Sequence, residues 1–452
     1  MKTRILHWLE IMSATFWLIP LVLLIAAILL AYVNIHLDKL LFSESPFSFL
    51  FYFNDKDNIR TLLSLTGGAI LGVAGVTFSI TIASLTLASQ QFGPRLLRNF
   101  MQNYFNQIVI GIFISTFLYS VLILQFTDAM DEKNFVPVIS MSTLLALIIL
   151  NLLILVFFIH HTAASIQADT VIDDVYQELE SRLYKLFPDT GETTSQQPTA
   201  QLPDDLQKRF ANEGQPVCAQ CSGYLQALDH SALQSFTTEQ DLTLRMNFRP
   251  GDFIIKGCEL ATCLSPEKLD DEIATTLDNA LIVGNKATAE QDAEYAIRQL
   301  VEIALRALSP GINDPFTAIS CINRLGQAIA FVAKREFPNP NYFDDNTKLR
   351  LLLAPLDFEG MVEAAFNQIR QNTSHHVDII ISLLDTFQHL AVQVQNEVQA
   401  KVLLTQVEAI QQTCVTHIEA EMDKAAINER YEHIQATLKS RFPIAIMHSN
   451  NA

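Results

Sequence analysis

The chain has 452 residues, half of them hydrophobic and only 17% charged, with a formal net charge of −18. So negative a chain repels phosphate backbones and anionic lipid heads, which excludes nucleic acid as an expected partner. Its 6 cysteines lack the density of a disulfide scaffold.

Hydropathy divides the chain. Four long apolar stretches, about 13–33, 62–88, 107–124 and 138–159, fall in the first 165 residues, and none follows. Each is long enough to cross a hydrocarbon core of about 30 Å as a helix. The expected fold class is therefore membrane α-helical, with four transmembrane helices, plus a cytoplasmic α+β tail in which a small β-module precedes a helical domain. The expected division is a four-helix transmembrane domain at 1–165, a helical stalk and polar linker at 166–215, a small β-barrel-like module at 216–264, and a helical cytoplasmic domain at 265–452. Acid and base balance in the first 165 residues, so the excess acid lies in the tail, where it would concentrate cations near any pore mouth it surrounds.

The first stretch follows Lys2 and Arg4 but is too long for a signal peptide and lacks a convincing small-residue cleavage site before Tyr32. It reads as a retained helix. With the N-terminus inside, Lys2, Arg4, Arg95, Arg98, Arg182 and Lys185 are cytoplasmic, against Lys39, Lys56, Arg60 and Lys133 outside. That count favours a multi-pass protein of a bacterial inner membrane with both termini in the cytoplasm.

The second stretch, LLSLTGGAILGVAGVTFSITIASLTLASQQFGPR, differs from its neighbours. On a helical wheel Gly68, Gly72, Gly75, Ser79, Thr86, Gln90 and Gly93 share one narrow face, interrupted by Ile82. Thr77, Thr81 and Ser84 form a second polar line opposite. Small residues at this spacing let helix backbones approach closely, so the stripe fits tight packing inside the four-helix unit. It also fits the lining of a water-filled path, where hydroxyls and bare backbone replace ion hydration. Arg95 and Arg98 follow Gly93-Pro94 as a basic collar, which anchors the helix at lipid heads or sets anion selectivity at a pore. No stretch carries an ionisable residue near its centre, which argues against a proton-coupled pump or a voltage sensor. His160-His161 ends the fourth stretch; adjacent helical residues diverge by about 100°, so interfacial anchoring is favoured over a shared metal.

Past residue 165 the fourth helix is expected to run on, with Ile172, Tyr176, Leu179, Leu183 and Leu186 forming a short coiled-coil-like seam. Residues 189–205, rich in Thr, Gln, Pro and acid, form a linker by composition. Short alternating runs from about 216 to 263 read as strands around a Pro250-Gly251 turn. The RPGDFIIKGCEL run looks like part of a small barrel-sandwich carrier module, but Lys256 sits within the strand, so a structural module is preferred. Cys218-x-x-Cys221 has metal spacing, and Cys258 and Cys263 are a second pair. Residues three apart on a strand point to opposite faces, so buried small hydrophobes are the better reading, and no metal or cofactor is expected.

Everything after Ser265 reads as helical. Ser265-Pro266-Glu267 looks like a helix start, and Thr288-x-x-Gln291 resembles a capping box opening a helix through Leu308. The chain breaks at Ser309-Pro310-Gly311 and restarts with Asp314 as cap and Pro315 at the first helical position. Asn313 and Asp314 are candidate cation or ligand residues, but a rigid helix–turn–helix corner accounts for every residue type there, and it is favoured. His375-His376-x-Asp378 is a weak metal candidate, better read as a polar helix start.

ALRALSPGINDPFTA at 304–318 closely resembles the signature of a bacterial predicted membrane protein family, domain of unknown function 2254. TFSITIASLTLASQQFGPR, SGYLQALD, RPGDFIIKG and FNQIRQ are further matching stretches, so the resemblance covers most of the chain from the second apolar stretch to about Gln371. GNKATAEQD departs from the family pattern, in which an arginine followed directly by threonine is expected near Lys286. The resemblance implies a membrane topology and a soluble tail, and carries over no activity.

Walker, H-E-x-x-H and G-x-S-x-G motifs are absent, so an enzyme is not expected. The leading expectation is a homo-oligomeric ion channel or passive transporter. Its pore would be lined by Gly68, Gly72, Gly75, Ser79, Ile82, Thr86 and Gln90, with an acidic cytoplasmic vestibule. Its partners would be the bilayer, further copies of the chain and an inorganic ion. The alternative is a membrane-anchored scaffold or regulator acting through its tail.

Overall fold

The structure is a computed structural model that describes residues 17–41, 56–94, 104–129, 137–187, 204–265, 271–288, 291–373 and 376–443. The chain divides into two compact units, Met1–Thr170 and Val171–Ala452.

Among the described residues the first unit contains four helices: α1 (Leu18–Leu41), α2 (Lys56–Phe92), α3 (Tyr104–Ala129) and α4 (Val138–Ser165). At 1.5 Å per residue even α1 is about 36 Å long, and α2 reaches about 55 Å. All four are apolar and long enough to cross a membrane. The centrally placed α3 packs against the other three. One buried cluster joins Ala31, Ile59, Leu63, Tyr119, Ile123, Met141 and Leu144; a second joins Ile70, Ala74, Val109, Phe113 and Phe158. The apolar side chains left outside, such as Leu21, Val22 and Ile25 on α1 and Leu152, Leu153 and Val156 on α4, need an apolar surround.

Helix α4 does not run on into the stalk. It ends at Ser165, and α5 (Ala168–Leu186) restarts after Ile166 and Gln167. The expected seam is buried at Ile172, Tyr176, Leu179 and Leu183. It docks on α10 (Pro315–Ala333) of the second unit. Asp173 accepts from Arg324 Nη2 at 2.6 Å, the Arg324 guanidinium lies over Tyr176, and Tyr184 meets Phe331 edge-on with centroids 4.7 Å apart. A fifth helix apolar enough to cross a membrane by length and composition is α10 itself, yet ten of its residues, including Cys321, Ile322, Leu325 and Ile329, are buried within this unit.

The second unit runs α6 (Asp204–Glu213), β1 (Gln215–Cys218), β2 (Gly223–Leu228), α7 (His230–Glu239), β3 (Thr243–Met246), β4 (Phe253–Ile254), β5 (Glu259–Leu264), α8 (Asp271–Ala280) and β6 (Leu281–Gly284). Then come α9 (Ala293–Ala307), α10, β7 (Asn341–Phe343), β8 (Leu349–Leu352), α11 (Phe358–Asn372), α12 (Val377–Gln393), α13 (Glu397–His417) and α14 (Glu421–Arg441). One sheet has the order β1-β5-β3-β8-β7, with β3 and β8 parallel, and the other the order β4-β2-β6. The stretch read as wholly helical after Ser265 therefore contributes three strands. The short apolar runs LIVG and LRLL are too brief to make an amphipathic helix, and each finds a ready edge, on β2 and β3 respectively. One core, built on Leu225, Leu244, Leu260, Ala261, Cys263 and Leu351, takes residues from both sheets. The helical part packs α10 on α12 so closely that a Cβ on Gly326 would meet Thr386 Cγ2.

Helix α9 starts later than the capping box suggests. Asp292 is its cap and accepts from the Glu294 N–H, while Gln291 clasps the Leu228 backbone through both amide atoms, at 3.0 and 3.2 Å. The Ser265-Pro266-Glu267 start is only partly inside the described residues.

Candidate functional site

The α2 stripe lies on the outside of the four-helix unit. Gly68, Gly72, Gly75, Ser79, Ile82, Thr86 and Gln90 are all exposed, and a Cβ built on any of the three glycines meets nothing within 4 Å. The opposite face is the packed one, where Gly67, Ile70, Ala74, Thr77, Thr81 and Ala88 are buried. A Cβ on Gly67 would stand 2.8 Å from Ser120 Oγ. Tight packing inside one unit thus belongs to Gly67, and the stripe is left for contacts beyond that unit. Its hydroxyls donate to their own helix, Ser79 to the Gly75 carbonyl and Thr86 to the Ile82 carbonyl, both at 2.9 Å. Such back-bonding keeps the hydroxyl proton satisfied whether lipid, protein or water lies opposite, and turns the oxygen lone pairs outward. The collar residues Arg95 and Arg98 lie outside the described residues.

Polar joints that went unread in the sequence hold the unit together at the far end of α2 from the collar. Asp38 lies near the end of α1 and caps α4. It accepts from the Ile139 N–H (2.8 Å), the Ser140 N–H (3.1 Å) and Ser140 Oγ (2.6 Å). One turn earlier Asn34 donates to Tyr119 Oη at 2.9 Å and Thr143 Oγ1 at 3.0 Å, and Tyr119 donates to the Ser140 carbonyl. The Asn34-x-x-x-Asp38 spacing, one face of a helix end, was the available signal. Deeper in, Asn151 donates to Thr116 Oγ1 at 3.0 Å, joining α3 to α4.

In the second unit the corner between α9 and α10 is built as a backbone device. Asn313 sits at φ +50°, a conformation asparagine tolerates. Asp314 caps α10, accepting from the Thr317 N–H at 3.2 Å and Thr317 Oγ1 at 2.6 Å, with Pro315 at the first helical position. The Asp314 N–H returns to the Ala307 carbonyl at 2.8 Å, closing the corner.

The RPGD turn carries a buried charge cluster. Glu294 pairs with both Arg249 and Arg298, and Asp292 pairs with Arg298. Asp252 accepts from the Arg249 N–H at 2.9 Å. Burial pushes both the Asp292 and the Glu294 carboxyl up, against the pull of the two guanidiniums. Gly251, at φ +101°, lets the turn lie directly on Asp292, whose carboxylate occupies the space a Cβ would need.

β1 ends at Cys218 and the chain bends before β2, so Cys218 and Cys221 flank a turn, not a strand, and both are exposed. Cys263 is a core residue whose thiol is pushed up to about 11 by burial. Among the described residues no three His, Cys, Asp or Glu side chains group as a metal site. His375 lies outside the described residues, and His376 stands at the start of α12.

A family profile described as predicted membrane protein (DUF2254) matches residues 13–389. The chain belongs to that family. The matched span covers the α2 stripe, the RPGD cluster and the α9–α10 corner, so the DUF2254 region takes in residues of both units. Uncharacterised proteins of Mycobacterium tuberculosis and Mycobacterium bovis are each 28% identical over 396 residues, covering 86% of this chain and 73% of theirs. No solved structure matches it.

Proposed function

We propose that this membrane protein is a homo-oligomeric ion channel or passive transporter, with α1 to α4 crossing a bacterial inner membrane and both termini in the cytoplasm. In this reading α10, packed inside the second unit, does not cross. The observation that carries the reading is the outward, uncovered face of α2. Three glycines and two back-bonded hydroxyls on one line let α2 helices of neighbouring subunits approach closely while turning oxygen lone pairs toward a path between them. Inorganic ions are the solutes such a neutral, oxygen-lined path would take, and the acidic tail would enrich cations at its mouth. No catalytic step is assigned.

Current across a planar bilayer containing the purified full-length protein tests it, with Ser79→Trp and Gly75→Leu beside the parent. Discrete currents resized or abolished by these two variants, in protein of unchanged oligomeric state, support the reading. Bulky substitutions that dissociate the oligomer and leave residual currents unchanged make the stripe an assembly face. Silence from inserted protein, with a partner retained by the tail, favours the membrane-anchored scaffold.

A further inference from the structure

Strand β4 is an edge of the β4-β2-β6 sheet, and the side chains it shows to solvent are apolar. Phe253 is 52% and Ile255 62% exposed, while Ile254 between them belongs to the core. Phe253 stands edge-on to Tyr224, with ring centroids 5.0 Å apart. Gly251 at φ +101° and Gly257 at φ +88° turn the chain at equal distances either side of Ile254. The run open to a neighbour is therefore Asp252 to Lys256.

The backbone pattern fixes which groups of that run face outward. The Asp252 carbonyl accepts from the Leu225 N–H at 2.9 Å, and the Lys256 N–H donates to Ser222 Oγ at 2.8 Å, both on the β2 side. Alternate residues of a strand turn their backbone groups to opposite edges, so those of Phe253 and Ile255 point away from the sheet. The Ile255 carbonyl also accepts from the Cys258 N–H at 3.0 Å, which leaves its second lone pair. An edge with outward N–H and C=O groups and apolar side chains is a template for a further strand.

The charges say which strand. Asp252-Phe253-Ile254-Ile255-Lys256 is complementary to itself when a second copy runs antiparallel and is centred on Ile254: Asp252 then faces Lys256, and Phe253 faces Ile255. We propose that β4 pairs with β4 of a second copy about a two-fold axis at Ile254. Each Phe253 N–H donates to the partner's Ile255 carbonyl, and each Ile255 N–H to the partner's Phe253 carbonyl. These are the groups the sheet leaves outward, and the axis falls on the pair that exchanges no hydrogen bonds. On the exposed face an aromatic lies opposite a β-branched side chain, a favourable cross-strand pair. Parallel pairing would set Asp252 against Asp252 and Lys256 against Lys256, and an antiparallel slip of two residues would set a charge against Ile254, so the run selects its own register. The contact is isologous, with the same patch given by both copies. It draws on the second unit alone and stands whether or not the α2 stripe lines a path.

Disulfide trapping in the full-length protein tests it, in a background of Cys218→Ser, Cys221→Ser and Cys258→Ser. Phe253→Cys and Ile255→Cys copies carrying different tags are co-expressed and treated with a mild oxidant. Directly opposed residues of such a pair have Cα atoms about 5.5 Å apart, within disulfide reach. The mixed pair should cross-link several-fold more than either variant with itself. Lys256→Glu in both copies should lower that yield several-fold, because it faces Asp252, and Lys256→Arg should preserve it. No cross-link, or a mixed yield no greater than like with like, overturns the proposal. Hydrogen exchange of the chain with its native cysteines reads the same register should the variants perturb folding. The Phe253 and Ile255 amides should be protected in the parent and exchange several-fold faster with Lys256→Glu; fast exchange of both in the parent overturns the proposal as well. Conduction enters none of these outcomes.

Discussion

Each unit buries carboxylates, and they solve the problem differently. In the first unit Asp38 is held by the N-terminal N–H groups of another helix and a serine hydroxyl, so dipoles at the start of α4 stabilise the acid. In the second unit Asp292 and Glu294 are held by guanidiniums, one shared between them. The dipole solution joins two helices at one point and depends mainly on helix geometry, with the Ser140 hydroxyl added. The ion-pair solution ties the RPGD turn to the first turn of α9 and depends on every member being present. A joint of the first kind should fail gently and one of the second kind abruptly.

Glu294→Ala is the severest way to break that contrast. The side chain is only 7% exposed, and its loss strips Arg249 of its carboxylate and leaves Arg298 with one partner where it had two. Removing one partner of a buried pair costs about 3–5 kcal/mol, and the lower end is expected here because both arginines reach solvent. Thermal unfolding of the full-length protein in detergent should show the loss, and an unchanged midpoint would mean that the cluster is incidental. Asp38→Ala should cost less, about 0.5–2 kcal/mol, the range for losing a helix cap. Its signature is local: hydrogen exchange should rise in the first turn of α4 and stay unchanged in α9. A loss as large as that of Glu294→Ala would erase the distinction between the two joints.

The same two sites mark how far the sequence was legible. The four apolar helices, the stripe on α2 and the Asp314 cap are all local periodicities or local turn chemistry, and each can be read from neighbouring residues. Asp38 escaped because its partner is about a hundred positions away, and a carboxylate at the end of a span reads as a loop charge until α4 is seen to start beside it. Glu294 and Arg298 show an i,i+4 pair, but nothing local announces that Arg249 joins them from a turn between strands. β8 was lost for a related reason. LRLL acquires its strand identity from pairing in parallel with β3, a contact across more than a hundred residues. The stripe was visible as a stripe, while its direction, out of the unit and away from Gly67, needed the neighbouring helices.

A gentler test uses pH, since a half-buried imidazole titrates close to neutrality and responds to small changes in its surroundings. His230, at the start of α7, faces the Tyr342 hydroxyl at 3.2 Å with Asp229 beside it in the chain. Burial lowers its imidazole below the ordinary value of 6.5, and the Asp229 charge opposes that shift without cancelling it. As pH falls the unfolded chain takes up this proton before the folded chain does, so the contribution is fully present above about pH 6.5 and is lost as pH falls through the lowered folded value. His230→Gln keeps a polar partner for Tyr342 and removes the titration. Melting temperatures near pH 7.5 should therefore be close in parent and variant, and near pH 5 the parent should have fallen further. This is the smallest of the three effects. If parent and variant decline in parallel, the acid sensitivity lies elsewhere, and the paired carboxylates of the RPGD cluster become the next groups to replace.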